Sequence, residues 1–176
     1  MPIQNLSEPQ IKVSTPILLV GMCARRVTHA TPPASLWQLF MPHHHEIANR
    51  IGGHVVSAQV YGKGITASPD LAFDRWAAVE VSHFEDIPPG MEVLELEPSS
   101  YAVFEYTGPA SGGMAVMQYI FSEWLPESGY TLDAAPHFEI IPPGYNPNDP
   151  LAKEEIWIPV QPDVHFDNHK AKLVAS

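Results

Sequence analysis

The chain has 176 residues, of which 20 are Asp or Glu and 9 are Lys or Arg, so its formal net charge is -11. A surface of that sign repels a phosphate backbone, and we expect no binding of nucleic acid by this chain alone. An acidic surface does raise the local concentration of cationic ligands. The length suits one domain, and the 19 prolines favour short strands and turns over long helices.

Cysteine content and hydropathy limit the chemistry and the compartment. Cys23 is the only cysteine, so neither an intrachain disulfide nor a cysteine-based zinc site can form. The first residues contain no basic segment followed by an apolar core, and no apolar run approaches the ~18 residues of a membrane span. We therefore predict a cytoplasmic protein with no secretory signal and no membrane partner.

The first half of the chain has the pattern strand, helix, strand, strand. An apolar run at residues 17–24 is typical of a strand. Helical spacing of apolar residues then predicts a helix capped by Ser35, which Pro42 either kinks or divides into two short helices. Alternation predicts strands at 54–61 and 73–83.

The second half repeats that order. Strands are predicted at residues 101–107, 138–141 and 154–160, with a turn region at 126–136. Between the first two strands, Ser111 is the predicted cap of a helix with one apolar face. The residues of this face are Met114, Met117, Ile120, Phe121 and Trp124.

The repeated element order predicts the fold class and the domain limits. Strand, helix, strand, strand occurs at about residues 15–85 and again at about 100–161, which indicates an α+β fold of antiparallel strands with helices on one face. We predict one domain at residues 15–161. The polar, aperiodic segments 1–14 and 162–176 are predicted to be loose termini.

Alternation within the strands separates aromatic and polar side chains from small aliphatic ones. The aliphatic rows are expected to pack under helices. Two aromatic rows that face each other would form a groove attractive to organic cations, through ring faces and a partly desolvated carboxylate. The alternative is that these aromatic residues belong to an ordinary core. The candidate site residues in these rows of aromatic and polar side chains are Tyr61, Trp76, Glu155 and Trp157.

Six short segments, taken in chain order, carry a family resemblance. They are LWQLF (36–40), WAAVEV (76–81), YAVFEYTGP (101–109), YIFSEWLP (119–126), PHFE (136–139) and EEIWIP (154–159). Together they resemble the effector-binding domain of AraC-type transcription activators, the GyrI-like small-molecule-binding family. The resemblance implies two βαββ repeats related by a pseudo-twofold axis, with a groove between them for hydrophobic, often cationic, compounds. It also places the family's acidic residue of the last strand on Glu155, opposite Trp76.

These inferences define one predicted ligand site. Glu155 is expected to supply the counter-charge for an amphipathic organic cation, without a metal or cofactor. Three adjacent histidines at residues 43–45 do not change this, because successive helical positions point about 100° apart and cannot converge on one ion. The residues predicted to stack on the ligand are Tyr61, Trp76, Trp157, Trp37 and Tyr145.

Two other functions remain open at this stage. Glu155 could serve as general base in a cofactor-free hydrolase of electrophilic compounds, as in some GyrI-like relatives. The acidic chain could instead be an interaction protein that inhibits gyrase. The activators that it resembles carry a DNA-binding helix-turn-helix segment for which this chain has no room, so we do not expect it to regulate a promoter alone. Gyrase and a separate DNA-binding regulator are the two candidate protein partners.

Overall fold

Strands dominate the computed structural model, which describes residues 3–68 and 70–166. The strands are β1 (Gln10–Val13), β2 (Ile17–Val27), β3 (Val55–Val60), β4 (Phe73–Val81), β5 (Glu92–Leu96), β6 (Ser100–Thr107), β7 (Tyr130–Leu132), β8 (His137–Ile141) and β9 (Lys153–Pro162). The helices are α1 (Ala34–Phe40), α2 (Gly113–Tyr119) and α3 (Leu125–Glu127), with a 3-10 helix at Met41–Glu46 and a π-helical segment at Ile120–Trp124.

One antiparallel sheet contains both halves of the chain. Its order is β1-β6-β9-β8-β3-β4-β2-β5, and β7 pairs separately with β9. The halves meet where β3 pairs with β8. From this junction, β4 and β2 of the first half follow in one direction, and β9 and β6 of the second half follow in the other. The antiparallel α+β class is therefore confirmed, whereas the pseudo-twofold axis stays a prediction.

The helix boundaries correct two predicted caps. Pro42 lies in the first turn of a separate short helix, Met41–Glu46, so the second alternative for this stretch holds. Ser35 lies inside α1, which follows Pro33, and Ser111 lies before Gly112, the N-cap of α2. Neither helix has a side-chain cap hydrogen bond among the described residues, because their N-cap residues, Pro33 and Gly112, carry no side-chain acceptor.

The N-terminal segment is part of the sheet, so the prediction of a loose segment at 1–14 is wrong for residues 5–13. β1 is an edge strand on β6, and the Thr107 amide donates to the Asn5 carbonyl at 2.9 Å. All four β1 side chains are exposed, and for this reason hydropathy gave no signal. At the other terminus, β9 extends to Pro162, and residues 167–176 of the predicted tail lie outside the described residues.

The two longer helices lie on the same face of the sheet, each over the strands of one half. α1 packs on β2 and β4, and α2 packs with the adjoining π-helical segment on β6 and β9. Met114 is 86% exposed, in contrast to the predicted core position. The π-helical segment has more residues per turn than an α-helix, which breaks the expected alignment of Met114 with Trp124. Within residues 3–68 and 70–166, no helix is long and apolar enough to cross a membrane.

Candidate functional site

An aromatic row crosses the sheet face that is turned away from the helices, which we call the aromatic face. The register places Trp76 of β4 opposite Ala58, Ala58 opposite Phe138, and Phe138 opposite Trp157. Residues that are directly opposite in an antiparallel pair share a face. Alternation within the strands therefore places Trp76 and Trp157 correctly on one face, and Glu155 lies there too.

The aromatic face is packed rather than open. Phe138 stacks on Trp157 with 5.0 Å between ring centroids, and Tyr101 meets both rings edge-on at 5.1 and 5.7 Å. Tyr101 is 0%, Phe138 2% and Trp76 4% exposed. Offset and edge-on rings at such distances are a normal core arrangement. The alternative of an ordinary core thus describes most of this row.

The chain's own cations cover the tryptophans of the aromatic face. Lys12 Nζ lies 5.7 Å from the ring centroid of Trp157, and the Arg25 guanidinium carbon lies 5.9 Å from that of Trp76. Trp157 Nε1 also donates a hydrogen bond to Glu155 Oε2 at 3.0 Å. The ring faces and the carboxylate that a cationic ligand would need here already have partners within the chain.

A second candidate lies on the helix side, at the junction of β3 and β8, and we call it the seam pocket. Ser57 faces Glu139 across this junction, and Gln59 faces His137. Because α1 and α2 pack on the outer strands, the two central strands are left between them. The space has a volume of about 10 Å³, room for one water molecule. It is lined by residues of β3, α2, β8 and β9, among them the predicted site residue Trp157: Ser57, Gln59, Met117, His137, Phe138, Glu139, Ile156, Trp157 and Ile158.

Two carboxyl groups on neighbouring strands, Glu139 of β8 in the lining and Glu154 of β9 nearby, give the seam pocket its acidic character. Desolvation, followed by the nearby charge of Glu154, raises the pKa of Glu139 to about 8, although Arg75 acts in the opposite direction. Burial also raises the pKa of Glu154. Desolvation, followed by the charges of Glu154 and Glu139, raises the pKa of Tyr145 to about 12, so this phenol lies within range of both charges.

An imidazole and a phenol border the acidic pair. The rings of His137 and Tyr61 lie 5.6 Å apart, and the Tyr61 hydroxyl is 3.2 Å from Nε2 of His29. Burial lowers the pKa of His137 to about 4, so its ring is neutral at neutral pH. Arg75 of β4 lies on the same face of the sheet as His137. It is buried and donates a hydrogen bond to the Thr31 carbonyl at 2.7 Å.

The structure separates the six predicted site residues. Trp76, Glu155 and Trp157 lie on the aromatic face, as described above. Tyr61 borders the seam pocket through its ring contact with His137, and Tyr145 lies within range of the charges of Glu139 and Glu154. Trp37 lies on α1 with its ring 5.9 Å from that of Phe40. We expected Tyr61 and its row of β3 to face the same groove as Trp76. That prediction is wrong, because Val56 and Ala58, on the other face of β3, pack against Trp76 and Phe138 instead.

Sequence reasoning did not predict the buried polar groups of the seam pocket. Glu154 shares the aliphatic row of Ile156 and Ile158. An acidic residue in a row that packs under a helix indicates a buried carboxyl group, and this signal was present in the sequence. Glu139 and His137 lie in the segment PHFE (136–139), which contributed to the family resemblance but was not predicted to form the site. Their importance depends on the pairing of β8 with β3, which alternation along one strand does not reveal.

The match to known families decides the classification. The GyrI-like small molecule binding domain matches residues 7–161, most of the chain. The chain belongs to this family.

Relatives of this GyrI-like domain include a transcriptional regulator. BrlR of Pseudomonas aeruginosa is 32% identical over 127 residues, which cover 71% of this chain and 45% of BrlR. The chain therefore spans less than half of the length of that curated relative.

Solved structures share the GyrI-like fold. SAV2435, solved bound to tetraphenylphosphonium, has a TM-score of 0.67 at 20% identity, covering 93% of this chain and 99% of SAV2435. EcmrR, solved in a complex with DNA, has a TM-score of 0.66 at 12% identity, covering 92% of this chain and 59% of EcmrR. At these identities the likeness concerns the fold.

The seam pocket predicts a pH dependence of stability. A pKa of about 8 means that the folded state binds more protons at Glu139 than the unfolded state does between about pH 4.5 and 8. Unfolding free energy therefore falls as pH rises through this window. The depressed pKa of His137 opposes this fall only below about pH 6.5, so we expect a decrease of a few degrees in Tm from about pH 6.5 to 8.

Thermal melting at both pH values, on the native chain and on Glu139→Gln, checks this expectation. Glu139→Gln should flatten the decrease, since an amide does not titrate, whereas Glu155→Gln should leave it unchanged. An unchanged slope in Glu139→Gln would show that another group titrates.

Proposed function

We propose that this domain binds amphipathic organic cations in the seam pocket. The observation that carries the proposal is a pair of carboxyl groups, Glu139 and Glu154, held between aromatic and apolar side chains where burial raises their pKa values. Such a pair is unstable as two charges, and a cation that enters would stabilise the ionised form. Tyr61 and Tyr145 would supply ring contacts.

The likeness to SAV2435 supports the ligand class. That protein was solved with tetraphenylphosphonium, a hydrophobic cation without hydrogen-bond donors. Aromatic rings with a nearby carboxylate are suited to such ligands, because the ring quadrupole and the counter-charge act in the same direction. A neutral ligand of the same shape would gain only the contact area.

The size of the seam pocket requires its walls to move when a ligand enters. Pockets for drug-sized ligands measure roughly 300–1,000 Å³, far more than the present 10 Å³. Met117 forms part of the wall on the α2 side, and its unbranched thioether adapts easily to a new neighbour. We propose that displacement on this side makes room for the ligand.

The aromatic face has a supporting place in this proposal. Trp76 and Trp157 are covered by Arg25 and Lys12, and Glu155 accepts from Trp157, so a ligand there would have to displace existing contacts. We propose that these three residues support the sheet beneath the pocket, and that Trp37 supports α1 beside it.

Calorimetric titration with tetraphenylphosphonium and with neutral triphenylphosphine oxide tests the proposed function. The cation should bind with at least tenfold higher affinity and should release protons, measurable as a dependence of the heat on the buffer's ionisation enthalpy. Equal affinities, or no binding of either compound, would overturn the proposal.

A second candidate is cofactor-free hydrolysis. One observation favours it: Glu139 titrates near neutral pH, as an efficient general base must, and Tyr145 lies close to it. Turnover of a strained electrophile that disappears in Glu139→Gln, with cation binding retained, would support this candidate. Inhibition of gyrase, or association with a separate DNA-binding regulator, stays a prediction for partner assays.

A further inference from the structure

One side chain of the seam pocket has an unused hydrogen-bonding atom. His137 is 4% exposed, and its Nε2 is buried without a hydrogen-bond partner among residues 3–68 and 70–166. A buried polar atom that lacks a partner costs about 1–3 kcal/mol. The sheet holds the ring in this place firmly, because β8 pairs with β3 on one side and with β9 on the other.

The surroundings indicate that this atom is available to a ligand. His137 lines the pocket together with Glu139, two residues further along the same face of β8. Tyr61 at 5.6 Å and Phe121 at 6.1 Å between ring centroids enclose the imidazole. The ring is neutral, because burial and the nearby His29 lower its pKa. A neutral imidazole offers one nitrogen as an acceptor.

We infer that the seam pocket selects organic cations that carry an N–H donor, such as protonated amines and amidines, over quaternary cations of the same shape. The N–H group would be shared between Glu139 and Nε2 of His137, which accepts the hydrogen bond. This inference rests on the proposed function and adds His137 as its specificity-determining residue.

The charge of the pocket argues for a donor on the ligand rather than an acceptor. If Nε2 carried the proton, it would favour a ligand acceptor, but the carboxyl pair beside it repels groups rich in lone pairs. A cationic N–H satisfies the carboxylate and the imidazole together. Hydrogen bonds with a charged partner are about twice as strong as neutral ones.

A pair of ligands that differ in one methyl group tests the inference. N-methyldibenzylammonium carries an N–H donor, whereas N,N-dimethyldibenzylammonium has the same skeleton and charge without it. At about pH 7 we expect the amine to bind at least tenfold more tightly, as the gain of one hydrogen bond to a charged group implies. His137→Phe should remove this preference, and His137→Gln, which keeps an acceptor, should retain much of it.

The outcomes separate the inference from the proposed function. Equal affinity of the native chain for both ligands, with both bound, would overturn the inference alone. Binding of neither would overturn the proposed function as well. The exposed His83, replaced in His83→Phe, is the control and should change neither affinity.

A spectroscopic measurement keeps the test independent of variant folding. The ¹⁵N resonance of His137 Nε2 should move on addition of the amine, because its lone pair becomes engaged, and should move far less with the quaternary cation. An equal response to both ligands would contradict the inference, even if His137→Phe does not fold.

Discussion

Replacing Glu139 and Glu154 together by glutamine is expected to lower the affinity for tetraphenylphosphonium by about thirtyfold, with little change for a neutral ligand of similar shape. Two unit charges about 7 Å apart in a medium of effective dielectric constant ~20 attract by about 2 kcal/mol, which corresponds to that factor. Glutamine keeps the shape of each side chain and removes its charge. Titration calorimetry of both ligands on the native chain and the double variant measures the difference.

Both residues must change, because the carboxyl groups titrate as a pair. When one is replaced, the other no longer feels its charge and ionises more readily, so each single variant should lose less than the double variant. Glu155→Gln is the matched control, since Glu155 follows Glu154 in the chain and lies on the opposite face. A loss in Glu155→Gln that is absent from the double variant would move the site to the aromatic face.

The second large effect concerns stability and Gly21. A Cβ atom at this position would lie 2.1 Å from the Ala77 carbonyl oxygen and 2.6 Å from the Ala78 Cα atom, both backbone atoms of β4. Gly21→Ala must therefore push β2 away from β4 in the centre of their ladder. We expect a loss of about 3 kcal/mol in unfolding free energy and a fall of roughly 6–12 °C in Tm.

Gly113→Ala provides the control for that substitution. Apart from its chain neighbours and its own helix backbone, no atom of the described part of the chain lies within 4 Å of a Cβ at Gly113, which has helical backbone angles. Alanine there should leave Tm unchanged or raise it slightly, because it reduces the freedom of the unfolded chain. Thermal melting of both variants decides, and equal midpoints would show that β2 and β4 tolerate the extra methyl group.

Much of the fold could be predicted from the pattern of the sequence. Alternation in β4 and β9 separates the residues that pack under the helices from those on the aromatic face, and the repeated element order indicates the α+β class. Alternation in β3 is equally clear, but the prediction exchanged the two faces of this strand: Val56 and Ala58 lie on the aromatic face, and Ser57 and Gln59 lie on the helix side. A period of two defines two faces without stating which one meets the helices.

The seam pocket was harder to predict, because its parts come from distant segments. Ser57 meets Glu139 only through the β3–β8 register, and Glu154 lies near Glu139 only because β9 follows β8 in the sheet. No local pattern encodes these pairings. Ring chemistry alone predicted Tyr61 and Tyr145 as ligand contacts, whereas the position of Tyr61 beside His137 depends on the tertiary structure.

The position of β1 has a consequence for the order in which the sheet forms. β1 pairs with β6, so Gln10 cannot form its strand pairing until Val103, about ninety positions later in the chain, is available. During synthesis, β1 leaves the ribosome well before β6 and has no partner until most of the domain has emerged. Lys12 reaches Trp157 later still. We therefore expect slow folding, which is typical of long-range strand pairing, and we expect β1 to be among the last strands to join the sheet.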